Sequence, residues 1–161
     1  MIEISSIQRR FCAYLIDIVI LLIPTILITV LLRDFPLIFH LSCMCINCSY
    51  FTYFISANAQ ATPGQKLMDI YTISMNYPKI DINLAFDRSI SQFFLPSLNS
   101  VIAILTDFSV EQDTLINVLN ILKVSIMLLT LCWYLVACFS KNRQTFHDIL
   151  FDTVVVRGAV K

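Results

Sequence analysis

The stretch FCAYLIDIVILLIPTILITVLL, residues 11–32, carries one charged side chain, Asp17, in a run otherwise broken only by small polar positions and Pro24. As a helix rising 1.5 Å per residue it extends about 33 Å, enough to cross a hydrocarbon core of about 30 Å. Arg9 and Arg10 precede it, as they would precede the apolar core of a signal peptide. The run is too long for that role and lacks a small-x-small cleavage site, so it is read as a transmembrane span.

Outward from this span the same reading repeats. After the turn Arg33-Asp34-Phe35-Pro36, residues 37–57 form a second span, free of formal charge if His40 is neutral. A third, 90–105, is shorter and interrupted by Ser91, Gln92, Ser97, Asn99 and Ser100, which need protein neighbours to bury them. A fourth, 115–139, follows an acidic loop holding Asp107, Glu111 and Asp113. With 58% hydrophobic residues in 161, the chain exceeds the apolar share of a soluble domain, and its length suits a single transmembrane domain over 1–161. The fold class expected is all-α: a four-span transmembrane helical bundle with a small cytoplasmic cap, its first partner the lipid bilayer. The formal net charge is zero, so no nucleic-acid partner is indicated.

The cap draws on residues 58–89 and 140–161. Thr62-Pro63-Gly64-Gln65 has the order of a helix start, with a threonine cap, proline in the first turn and glutamine three positions on; it predicts a short helix from Pro63 to Met68. Ile70 to Met75 reads as extended, with a turn at Asn76-Tyr77-Pro78-Lys79 and Ile80-Asp81-Ile82 as a returning strand. Thr153 to Arg157, equally β-prone and on the same side, is expected to pair with Ile70 to Met75. Arg9, Arg10, Lys66, Lys79, Arg88, Lys141, Arg143, Arg157 and Lys161 all fall on the cap side, which places both termini in the cytoplasm. On the other side are Arg33, the acidic loop and Lys123, which can snorkel outward.

Cys12, Cys132 and Cys138 lie in apolar stretches where a free thiol acts as a small hydrophobe. Cys43 and Cys45 point about 200° apart on a helix, and Cys45 and Cys48 alone share a face, too few ligands for a closed site. Neither metal nor other cofactor is expected. No nucleophile stands beside a histidine and an acid in a recognisable order, and His40 and His147 are the two histidines, so an enzyme is not expected either. One glycine with no preceding strand makes Thr62 to Met68 a helix start, not a phosphate cradle.

The candidate functional residues are the charged ones near the cap: Arg10, Asp17, Arg88, His147 and Asp148. Arg10 and Asp17, seven apart, share a helix face, with Asp17 about 10 Å deeper, too far for a direct pair in an undistorted helix. A carboxylate at that depth must be protonated, hydrated or matched by a cation from elsewhere, and Arg88 is the expected partner. Asp17 has two readings, a cation or proton site in a solute pathway and a structural pair that fixes helix register. Arg10 neutralises a carboxylate or anchors the helix to lipid phosphates. His147-Asp148 reads as a proton-relay pair, or Asp148 closes a capping box opened by Thr145.

The blocks Arg10-Phe11-Cys12-Ala13-Tyr14-Leu15-Ile16-Asp17, Thr62-Pro63-Gly64-Gln65-Lys66-Leu67-Met68 and Arg143-Gln144-Thr145-Phe146-His147-Asp148 together resemble the RDD family of small integral membrane proteins, from Arg9 to Val156. The resemblance makes Arg10, Asp17 and Asp148 the arginine and two aspartates of the family name. It departs at Asp69, where relatives commonly carry a small residue, and at Phe151-Asp152, which replaces a small pair. It implies a prokaryotic cell (inner) membrane and transport of an ion or small solute, the activity proposed for the family. In so short a chain a pathway would call for a homo-oligomer or a membrane-protein partner. The rival reading is a non-transporting scaffold or accessory subunit.

Overall fold

The computed structural model describes residues 3–77, 79–109 and 113–158. The turn position Pro78, the loop residue Glu111 and Lys161 lie outside them, as does the side chain of Asp107. The elements in order are β1 (Glu3–Ile4), α1 (Ile7–Leu31), α2 (Pro36–Ser56), α3 (Pro63–Leu67), β2 (Ile70–Ser74), α4 (Ile82–Phe108), α5 (Asp113–Phe139), α6 (Phe146–Leu150) and β3 (Thr153–Arg157). Four helices, α1, α2, α4 and α5, are long and apolar enough to cross a membrane.

Each long helix is started by local chemistry. Ser6 caps α1 by accepting from the Arg9 amide, and α2 opens on Pro36, whose missing N–H is harmless there. Asp81 caps α4, its carboxylate accepting from the Leu84 amide at 2.9 Å. The returning strand expected at Ile80-Asp81-Ile82 is therefore absent: Asp81 is a helix cap, Ile80 is buried in the core, and Ile82 is the first residue of α4. The third long helix consequently begins at Ile82 and not at Ile90, which puts Arg88 inside it. Within the spans, Thr25, Thr29, Ser100, Thr106, Ser125 and Thr130 return their hydroxyls to carbonyls four residues back, satisfying them without water.

The spans pack in series, α1 on α2, α2 on α4 and α4 on α5, with no comparable packing of α1 on α5 among the described residues. One core joins Leu21, Cys48, Phe51, Ile55, Ile80, Ala85 and Phe93; a second joins Leu95, Ile102 and Ile126 with Trp133 beside them. The outward faces are apolar, with Ile23, Val30, Ile121 and Phe139 among the most exposed residues. That is the arrangement a hydrocarbon surround requires.

At one end the chain builds a three-stranded antiparallel sheet in the order β1-β3-β2. The expected pairing is present, with Ile70 opposite Arg157, Thr72 opposite Val155 and Ser74 opposite Thr153. β1 adds to the other edge of β3, Ile4 opposite Val156. Ile70 and Val155 pack on Ala13 of α1 and dock the sheet onto the first span. Asp69 and Asp152, the two departures from the family pattern, both take positive φ (55° and 48°). That region is cheapest for glycine and tolerated by aspartate, whose short polar side chain can hydrogen-bond locally.

Candidate functional site

Asp17 leaves α1 two turns into the span and is 1% exposed. Three donors converge on its carboxylate: the Thr62 hydroxyl at 2.6 Å on Oδ2, and the Tyr50 phenol and Gly64 amide, each at 2.8 Å, on Oδ1. The local sequence supplies this. Thr62 and Gln65 form a reciprocal capping box and Pro63 opens the turn, so the Gly64 amide at the start of α3 has no helical partner and is free to donate outward. Gly64 is required by contact: a Cβ there would lie 2.2 Å from the Ala13 carbonyl oxygen and 2.9 Å from the Asp17 carboxyl carbon. Arg88 is not among the partners of Asp17, contrary to expectation, because it is directed to Asp148. Neutral donors do the work assigned to a guanidinium.

Asp148 is the hub of the second cluster. Its Oδ1 accepts from Arg88 Nη2 at 2.6 Å, from Arg88 Nε at 3.1 Å and from the Thr153 hydroxyl at 3.1 Å. Its Oδ2 accepts from the Thr145 hydroxyl at 2.8 Å and stands 3.5 Å from Arg10 Nη1. The Thr145 amide also reaches Oδ2, so Asp148 closes the capping box of α6 and serves as counter-ion at once. Burial, the largest single influence, pushes its pKa up, but the surrounding groups, Arg88 foremost and Arg10 beyond it, together outweigh this and hold the carboxyl well below the usual carboxylate range. Arg10 reaches across the cap, donating to the carbonyls of Arg143 and Val155.

His147 makes no relay pair with Asp148: Nε2 lies 3.8 Å from Oδ1, beyond a hydrogen bond, and 2.9 Å from Thr145 Oγ1. Because the Thr145 hydroxyl proton goes to the charged carboxylate, Thr145 must accept from His147 Nε2–H. This leaves Nδ1 as an unpaired acceptor. Burial is the main cause that lowers the His147 pKa to about 4; Asp148 opposes it, and Arg88 and Arg10 add to it. The imidazole is neutral at physiological pH.

These side chains line a cavity of about 390 Å³. Its polar wall includes Arg10, Asp17, Arg88, Gln92, His147 and Asp148, and its apolar wall includes Ile7, Phe11, Phe51 and Ala137. It lies between α1 and α5, the neighbours left unpacked. Arg10 Nε is buried without a partner, and among the described residues Arg88 Nη1 makes no hydrogen bond.

The expected five residues thus fall into two groups at one end of the molecule, with Asp17 in one and Arg10, Arg88, His147 and Asp148 in the other. Thr62, Pro63 and Gly64 belong to the first. Tyr50, Tyr134 and Thr153 join the site without a charge to mark them in the sequence, and Gln92 is buried, as a polar position in the third span requires. A phenol within an apolar span is the available signal, since Tyr O–H groups in such places need a partner. The cysteines at 43, 45 and 48 are free thiols, and among the described residues no His, Cys, Asp or Glu group converges to hold a metal.

Compared with known families, residues 4–152 match the model of the RDD family. Neither the curated proteins nor the solved structures yielded a match.

Proposed function

The chain belongs to the RDD family, and on that premise we propose that this multi-pass membrane protein takes part in moving an ion or small solute, with the cavity between α1 and α5 as its binding site. The observation carrying this reading is the cavity itself: a concave, mostly apolar pocket with a few charged and polar groups on its wall, and with Arg10 Nε and His147 Nδ1 buried and unpartnered beside it. Asp17 in this reading is a latch that fixes α3 on α1, since both its oxygens accept from protein donors, two of them at the start of α3. The proposed orientation puts the cap in the cytoplasm of a prokaryotic cell, from the arginines and lysines gathered there. The protein acts without enzymatic chemistry or cofactor and self-associates to complete a pathway.

The test is flux in liposomes across a panel of ion and solute gradients, comparing the native chain with Ile7→Trp, which adds bulk to a lining position and replaces no charged side chain. Flux that falls in the variant at an unchanged thermal midpoint supports the reading; no flux in the native chain sinks it. The pairing of Asp148 with Arg88 and the three donors on Asp17 favour a second reading, a non-transporting scaffold whose charge network is structural. A stoichiometric membrane partner recovered in mild detergent, with no flux alone, would select it.

A further inference from the structure

We propose that the cavity takes an amphipathic anion, a phosphate head carried on acyl chains, and that its source is an acidic phospholipid of the surrounding bilayer. This rests on reading the cavity as the binding site and names the chemistry that fits it. Two guanidinium groups, the buried Arg88 and the half-buried Arg10, share one carboxylate, Asp148, so this cluster carries an excess positive charge. The other carboxylate lining the cavity, Asp17, has both oxygens engaged by Tyr50, Thr62 and Gly64 and pairs with neither arginine among the described residues. The unfilled hydrogen-bonding capacity around the cavity includes two guanidinium donors, Arg10 Nε and Arg88 Nη1, and one acceptor, His147 Nδ1. A phosphate ester supplies oxygens to the first two, and a head-group hydroxyl supplies a donor to the third.

The apolar wall argues for a tail. Ile7, Phe11 and Ala137 line the cavity from α1 and α5, and Phe11 is 60% exposed at its rim. A free inorganic anion gains nothing from that surface, whereas an acyl chain leaving between α1 and α5 stays in hydrocarbon. Arg10 lies in the first turn of α1, at the cap end of an apolar helix, and an arginine at the end of a span can pair with a lipid phosphate.

The experiment uses the full chain in nanodiscs of equal parts phosphatidylglycerol and phosphatidylcholine, counting lipids retained by native mass spectrometry after release, with and without millimolar inorganic phosphate. Selective retention of phosphatidylglycerol, unmoved by phosphate, is the expected result. Arg10→Gln should weaken it about tenfold, the effect of losing a charge-assisted bond. Ile7→Trp, which leaves the ion pairs intact, should do the same by occupancy, and Lys141→Gln, exposed on the cap outside the cavity, should change nothing. Equal retention of the two lipids, displacement by inorganic phosphate, or equal losses in Arg10→Gln and Lys141→Gln would each overturn the assignment. Lipid selectivity without flux in liposomes would remove the transport reading alone, and flux without lipid selectivity would remove the lipid alone.

Discussion

Gly64 and Asp148 show two ways in which single residues hold this molecule together. At Gly64 the constraint is steric, since α3 approaches α1 until no Cβ fits between them. Gly64→Ala should therefore push α3 off Asp17 and cost on the order of 2–4 kcal/mol, read as a lowered thermal midpoint in detergent. At Asp148 the constraint is electrostatic, and its neighbour His147 gives it a pH signature. Folding lowers the His147 pKa from 6.5 to about 4, so between these values the unfolded chain binds the proton more readily. Stability should be complete above pH 6.5 and fall as pH drops toward 4, by at most about 1.4 kcal/mol per unit. Asp148, also held low, adds its own loss in stronger acid. The groups facing the ring are Asp148, Arg88, Arg10 and Tyr134, and His147→Asn should flatten the slope above pH 4. The prominence of Asp17 and Asp148 was legible in the sequence because a carboxylate near hydrocarbon is costly wherever it sits. Their partners were not, since a partner depends on where each helix begins. Arg88, taken as the edge of a helix starting at Ile90, lies within one starting at Ile82, and there it meets α6 rather than α1.

Among the elements, β3 is the one on which the cap depends, flanked by β1 and β2 and packed through Val155 on Ala13. Its amides from Val154 to Val156 should exchange slowly with deuterium, and Val154→Pro should speed exchange in β2 as well, because Val154 stands opposite Ile73 and, by the alternation that starts at the Met75 N–H to Asp152 carbonyl bond, that pair is one that exchanges hydrogen bonds across the shared ladder. The pairing of β2 and β3 could be foreseen from their β-branched residues. The failed strand at Ile80-Asp81-Ile82 has an equally local cause. An aspartate three residues before a free helical amide is a strong cap, and two isoleucines do not outweigh it. Hydropathy also misplaced the start of α4, since its first turns carry Asn83, Asp87 and Arg88 and look like loop to any apolar average.

For the whole molecule, hydropathy counts spans but says nothing of neighbours, so the serial packing from α1 through α2 and α4 to α5, with its open seam, was not legible. The proposed orientation makes a direct prediction at this scale. In a background with the six cysteines replaced, Lys79→Cys should react with a membrane-impermeant maleimide only when the cytoplasmic face is exposed, and Arg33→Cys only from the opposite face. The charge cluster also bears on how the protein is made. Synthesis runs from the amino end, so Arg10 and Arg88 are already in place before their common carboxylate, Asp148, has been translated. The Arg10 contact with the Val155 carbonyl comes later still. During that interval the first span has no closed cap above it, and two guanidinium groups wait at the membrane boundary without a counter-ion. Biogenesis is thus completed by a late event, the arrival of Asp148 and β3, and a chain stalled before that point would present unmatched positive charge to the lipid surface and to whatever surveys nascent membrane proteins.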